Sequence, residues 1–342
     1  MSLDFDSVTW QRKLHGALIP AVPVPFDADG RMHRAAQDAY VRYMAEQPVA
    51  GVAVWAHTGR GLVLGPDQRR EVLRCWRAGF PRDRCIVAGA GANVQRESDP
   101  RAYVDAALRA AQEAVELGAD ALLLHPPTLF RGYPDKDEQI VRYHERLASL
   151  NAPLILFYLY EAAGGILYTP AVLAQLLALP QVIGIKMATL DSVMTFQDVS
   201  RQIEKEHPEK ILITGEDRFL GYSLMHGARA ALIGMGAACC RLQADLIRAF
   251  FSHRARKFLE LSRKVDLLAE HTFIAPMEGY IRRMLWVLVH LGVIPVEAAH
   301  DPWGPELPET EFIALRTLLH EIGEVGEVGR GAGELRGGGA SG

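Results

Sequence analysis

Lys186 stands in the run Val182-Ile183-Gly184-Ile185-Lys186-Met187-Ala188, which otherwise reads as a buried β-strand. A lysine is almost never fully buried without a partner, and β-branched, apolar residues on both faces mark a parallel strand covered on both sides. Two explanations fit the run. The lysine snorkels from a strand end or forms half of a buried ion pair. Alternatively, burial lowers the amine pKa, so that neutral amine attacks a ketone and forms a Schiff base. Composition favours the second: of 37 basic residues only Lys13, Lys136, Lys186, Lys205, Lys210, Lys257 and Lys264 are lysines, and only Lys186 has apolar neighbours throughout its strand.

Imine chemistry needs an acid and base to remove the carbinolamine water and move protons on the substrate, and a phenol serves. Tyr158 ends the preceding apolar segment, and neighbouring parallel strands lie about 4.8 Å apart, so a hydroxyl beside the amine is expected there. An ordinary core aromatic is the competing account of Tyr158. Earlier in the chain, His57-Thr58-Gly59-Arg60-Gly61 has two glycines. They allow a tight turn of converging N–H groups, suited to a 2-keto-acid carboxylate; a plain strand-to-helix turn is the alternative.

The elements that must position these groups alternate along the chain. Apolar segments recur at Gly16–Val24, Val49–Ala56, Arg84–Gly91, Ala119–His125, Leu154–Tyr160, Val182–Ala188, Lys210–Glu216 and Ala230–Met235, with helical periodicity between them. Eight such units predict an α/β fold, a (β/α)8 TIM barrel over 15–238, whose chemistry sits at the C-terminal strand ends. His57, His125, Gly215 and Ile233 fall at those ends and are candidate substrate contacts, as is Glu161 just after the fifth strand. A doubly wound sheet is disfavoured, since no strand is followed by a G-x-G-x-x-G turn. From residue 239 to 322 the pattern is helical and predicts a C-terminal helical region, with helices over Leu242–Phe251, Ala255–His271, Pro276–Leu291 and Glu309–Ile322. Residues 1–14 read as an arm on the outside of the barrel, and the Gly- and Glu-rich stretch 323–342 as a flexible tail.

The chain has 342 residues, 49% hydrophobic and 23% charged, with a formal charge of -4. That balance gives no electrostatic reason to expect nucleic acid or an acidic membrane as partner. Cys75, Cys85, Cys239 and Cys240 lack metal-type spacing and read as reduced thiols. No signal-type or membrane-spanning segment is evident, so a cytoplasmic location is expected.

Several motifs resemble the dihydrodipicolinate synthase / N-acetylneuraminate lyase family. Ile19-Pro-Ala-Val-Pro-Val-Pro-Phe-Asp-Ala-Asp-Gly30 is similar to its opening strand, Ala56–Arg60 to its G-T-T-G-E loop, and Ile183-Gly-Ile-Lys186 to its G-[IV]-K lysine motif. The resemblance implies a (β/α)8 barrel with C-terminal helices, usually a homotetramer, and no metal or organic cofactor. It implies that Lys186 forms the imine with pyruvate or another 2-keto acid, that Tyr158 transfers protons, and that Thr58 with Gly59 holds the carboxylate.

The departures point away from dihydrodipicolinate synthesis. His57 replaces a hydroxyl residue and Arg60 the loop glutamate, no tyrosine follows the fourth strand in His125-Pro-Pro-Thr-Leu-Phe130, and Ala163 stands where the synthases carry an arginine. Without that guanidinium fork a carboxylate on the second substrate loses its bidentate partner. The expected activity is therefore an imine-forming carbon–carbon or carbon–oxygen lyase, an aldolase or dehydratase acting on pyruvate or a 2-keto-3-deoxy sugar acid. A barrel retained as a keto-acid-binding or regulatory protein is the alternative, and a phosphate-ligand barrel using Ile233-Gly-Met-Gly236 is a third.

Overall fold

The computed structural model describes residues 7–325. Eight strands, β1 (Ala17–Pro20), β2 (Gly51–Val54), β3 (Cys85–Ala90), β4 (Ala121–Leu124), β5 (Leu154–Leu159), β6 (Val182–Ala188), β7 (Ile211–Thr214) and β8 (Ala230–Ile233), alternate with helices. Every strand pair is parallel and follows chain order round to β1 against β8. Between β1 and β2 the ring is closed by two backbone bonds, Ala50 N–H to Leu18 O at 3.0 Å and Val22 N–H to Ala53 O at 3.0 Å. The molecule is thus a (β/α)8 barrel.

The helices are α1 (Ser7–Leu14), α2 (Arg34–Ala45), α3 (Pro66–Gly79), α4 (Pro100–Glu116), α5 (Lys136–Ala148), α6 (Pro170–Leu177), α7 (Val193–Glu206) and α8 (Leu220–Met225), then α9 (Cys240–Phe251), α10 (Ala255–Thr272), α11 (Tyr280–His290) and α12 (Glu309–Ile322). Their starts are written locally. Asp99 and Thr169 accept the Ala102 and Val172 N–H groups, each with proline as the next residue; such caps satisfy the free donors of the first turn.

Strand residues divide between two clusters, as the period of two requires. One, including Ile19, Val87, Leu123, Phe157 and Ile213, fills the barrel; the other joins the strands' outer faces to the helices. The described part of the arm is a helix from Ser7, exposed or half-buried from Val8 to Lys13 and anchored by Leu14, which is fully buried in the interior cluster. One expectation needs correction. The helix expected from Pro276 begins at Tyr280, after a 3-10 turn over Met277–Gly279. Residues 1–6 of the arm and 326–342 of the tail lie outside the described residues. Cys75, Cys85, Cys239 and Cys240 are buried free thiols, and no helix among the described residues is long and apolar enough to cross a membrane.

Candidate active site

Lys186 is buried and faces the barrel interior near its C-terminal mouth. Its register partner on β5 is Phe157, with Nζ 4.3 Å from the ring centroid, a cation–π distance. A bulge sets this facing. The pairing of β5 with β6 skips from Val182 to Gly184, so Ile183 and Ala188 join the interior cluster while Ile185 and Met187 join the outer one. An extra residue of this kind switches which side chains point inward.

The expectation for Tyr158 is therefore corrected. Pleating puts Tyr158 on the opposite face of β5, where its ring meets Tyr168 edge-on at 5.5 Å. It does not line the cavity that holds Lys186.

Burial lowers the Lys186 amine to about 8, opposed by the charges of Asp217 and Glu216. The amine makes no hydrogen bond among the described residues. Asp217 accepts from Met235 N–H at 2.7 Å, and burial raises it to about 7 against that bond and the lysine's charge. Glu216 is also buried; it accepts from Thr189 N–H, Thr189 Oγ1 and Leu190 N–H at 2.7, 2.8 and 2.9 Å. It therefore serves to fix the loop after β6. Gly215 lies against the lysine: a Cβ there would lie 2.5 Å from Lys186 Cε.

The His57–Gly61 loop wraps the Trp55 carbonyl. A Cβ on Gly61 would sit 1.9 Å from that oxygen, and one on Gly59 2.9 Å from Val22 O, so both positions admit only glycine. His125, a candidate contact, instead bonds Trp55 O through Nε2 at 3.0 Å. Since a carbonyl only accepts, Nε2 carries the proton, and burial lowers this histidine to about 4. Its ring fixes the loop in the neutral form. Arg60 meets Asp301 twice, at 3.1 and 2.6 Å, and Glu278 at 2.6 Å, tying the loop to the C-terminal region.

Thr58 and His57 do reach the cavity, and both meet a residue the sequence reading missed. Tyr280 Oη lies 3.0 Å from Thr58 Oγ1 and 3.1 Å from His57 Nδ1. His57 Nε2 lies 3.3 Å from Glu278 Oε1. Burial alone raises Glu278, but the bonds and charges of His57 and Arg60 bring it down to about 2. Tyr280 opens the helix after Pro276; no residue-type or spacing signal sets it apart there.

Two other candidates lie elsewhere. Glu161 is exposed, with Arg131 at 3.8 Å, and Ile233 packs in the outer cluster, leaving Gly234 to line the cavity.

The space around Lys186 is small, about 30 Å³, and is bounded by Thr58, Phe157, Tyr160, Asp217, Gly234 and Tyr280 among others. A second cavity of about 260 Å³ shares His57, Leu159 and Ala163 with it and runs past Leu62, Ala92 and Pro126. A hollow of about 290 Å³ at the other end of the barrel, beside Lys210 and Arg229, does not touch the lysine. Among the described residues no three His, Cys, Asp or Glu side chains are grouped to hold a metal.

The family model described as the dihydrodipicolinate synthetase family matches residues 14–319. The chain is 25% identical to an uncharacterized DapA-like lyase of Thermococcus kodakarensis, covering 90% of this chain and 100% of that one. It is 25% identical to N-acetylneuraminate lyase of Rhizobium meliloti, covering 91% and 96%. Dihydrodipicolinate synthase from Thermotoga maritima superposes with a TM-score of 0.80 at 19% identity over 92% of this chain and 100% of that one. YagE from Escherichia coli, solved in complex with pyruvate, gives 0.77 at 22% over 90% and 98%.

Proposed function

The chain belongs to the dihydrodipicolinate synthetase family, whose curated relatives named above are lyases, and from that membership we propose that it forms a Schiff base between Lys186 and a small 2-keto acid. The observation that carries the reading is the state of one amine. Lys186 is buried, lowered to about 8 and without a hydrogen bond among the described residues, and it borders a cavity. The other buried lysine, Lys210, donates to Val182 O at 2.7 Å and is thereby occupied.

Neutral Lys186 attacks the ketone, the carbinolamine loses water, and the iminium acts as electron sink for making or breaking the bond to the β-carbon. The backbone N–H groups of Thr58 and Gly59 supply donors for the keto-acid carboxylate. Pyruvate, the ligand of the YagE structure, is the simplest 2-keto acid to present its ketone to Lys186; a 2-keto-3-deoxy acid would extend into the outer cavity. That cavity is lined largely by Leu62, Val63, Ala92, Val94 and Leu159, and its arginine, Arg60, is taken by Asp301 and Glu278. An uncharged chain beyond the keto acid fits such a lining better than a second carboxylate. The reading includes action in the cytoplasm as a homodimer or homotetramer, for which sedimentation as a monomer would count against the assembly.

The test is borohydride trapping with pyruvate, read by intact mass and peptide mapping. A pyruvate-sized adduct confined to the Lys186 peptide and lost in Lys186→Ala is expected. No adduct with pyruvate or with longer 2-keto-3-deoxy acids overturns the reading.

Phe157, which puts a ring without a hydroxyl against the amine, favours a second reading, a keto-acid-binding or regulatory protein. Tight reversible binding of one keto acid, with no turnover across a panel of them, would support it.

A further inference from the structure

With Tyr158 turned away, the site needs another group to move protons. We propose that Tyr280 is the proton-transfer residue and that His57 and Glu278 hold its proton in reserve, a role that rests on the Lys186 imine proposed above. Two phenols line the inner space, Tyr160 and Tyr280. Tyr160 makes no side-chain hydrogen bond among the described residues, whereas Tyr280 Oη contacts both His57 Nδ1, at 3.1 Å, and Thr58 Oγ1, at 3.0 Å.

The proton positions follow from donor and acceptor chemistry. Glu278 Oε2 accepts from Arg60 at 2.6 Å, and that guanidinium, itself held by Asp301, keeps the carboxylate ionised. An ionised carboxylate only accepts. The 3.3 Å contact from Glu278 Oε1 therefore fixes the proton of His57 on Nε2 and leaves Nδ1 as acceptor. Tyr280 then donates to Nδ1 and accepts from Thr58. Carboxylate, imidazole and hydroxyl stand in line, each orienting the next, which is the logic of a nucleophile or base activated through a histidine.

In enamine formation, Tyr280 Oη takes the proton from the β-carbon as its own proton passes to His57 Nδ1. The C–H electron pair becomes the C=C bond, and the iminium nitrogen recovers its lone pair. The positive charge lost by the iminium appears on the imidazolium, against Glu278. Carbinolamine dehydration, which comes first, runs the flow the other way: the proton that the Lys186 ammonium releases on becoming the neutral nucleophile is held on His57 Nδ1, His57 returns it to Tyr280 as Tyr280 protonates the departing hydroxyl, water leaves, and the nitrogen lone pair forms C=N. Tyr280 is the group that touches substrate, while His57 and Glu278 are positioning residues that act through it.

The measurement is exchange of the pyruvate methyl protons in D2O, followed by NMR on the full chain alongside borohydride trapping. Tyr280→Phe keeps its ring against Phe273 and is expected to trap pyruvate yet exchange it about 100-fold more slowly. His57→Gly is expected to lose about tenfold or more and to regain part of it with added imidazole. Glu278→Gln is expected to slow exchange while leaving half-saturation by pyruvate within about threefold. Trapping with exchange undiminished in Tyr280→Phe overturns the relay alone, as does a larger loss in Tyr160→Phe than in Tyr280→Phe. Absence of any adduct in the unaltered protein overturns the lysine reading and the relay with it.

Discussion

The amine of Lys186 and the ring of Phe157 are register partners on adjacent strands, 4.3 Å from nitrogen to ring centroid. A cation above an aromatic face is stabilised by about 0.5 to 2 kcal/mol, most when desolvated. Phe157 thus favours the protonated amine, together with Asp217 and Glu216, against the burial that lowers it. It offers no proton, so the acid–base work falls to groups across the barrel.

Replacing Tyr158 by phenylalanine should leave pyruvate trapping and exchange within about twofold of the unaltered protein and cost less than about 1 kcal/mol of stability. Its hydroxyl lies on the helix-facing side of β5, near Tyr168 and not in the cavity. A loss of about 100-fold would return Tyr158 to the site.

The initial rate of imine formation should rise with pH and level off above about 8, the value to which burial lowers Lys186. The sign follows from the nucleophile being the neutral amine. Because Asp217 opposes that lowering, Asp217→Asn should move the midpoint to lower pH. A midpoint that stays in place or moves up in a pH–rate series would remove Asp217 as the opposing charge.

Gly215→Ala should disable the site and strain the end of β7 against β6. The new Cβ would fall 2.5 Å from Lys186 Cε and 2.8 Å from Met187 O, forcing the lysine stem aside at a cost of about 1–3 kcal/mol. Trapping should be slower by about tenfold or more, since misplacing a reacting atom is expensive. A folded variant that traps at the normal rate would show that the stem has room to move.

Arg60→Ala should destabilise the chain by about 3–5 kcal/mol, the usual result of leaving a buried partner uncompensated. Here the partner is Asp301, whose side chain is 1% exposed. Urea unfolding measures the loss, and combining Arg60→Met with Asp301→Leu should recover most of it. A single variant of unchanged stability would mean that the loop does not depend on this pair.

Much of the fold was legible locally. Eight apolar strands alternating with amphipathic helices specify the barrel, because both periods are written in consecutive residues. Pro100 and Pro170 after capping side chains mark helix starts almost to the residue. The glycines of the His57–Gly61 loop signalled a tight turn; that the turn wraps the Trp55 carbonyl came from the structure.

The sequence by itself determined that one lysine lies in an apolar strand and that a glycine turn faces it across the strand ends, for burial and turn chemistry depend on neighbouring residue types. Only the tertiary structure decided which aromatic meets that lysine, because facing on a strand depends on pleat and bulge, and a shift of one residue exchanges Tyr158 for Phe157. It alone brought Tyr280 and Glu278 to His57 and Thr58, since a hydrogen bond between residues 222 positions apart is fixed by how the C-terminal helices close on the barrel and leaves no local pattern.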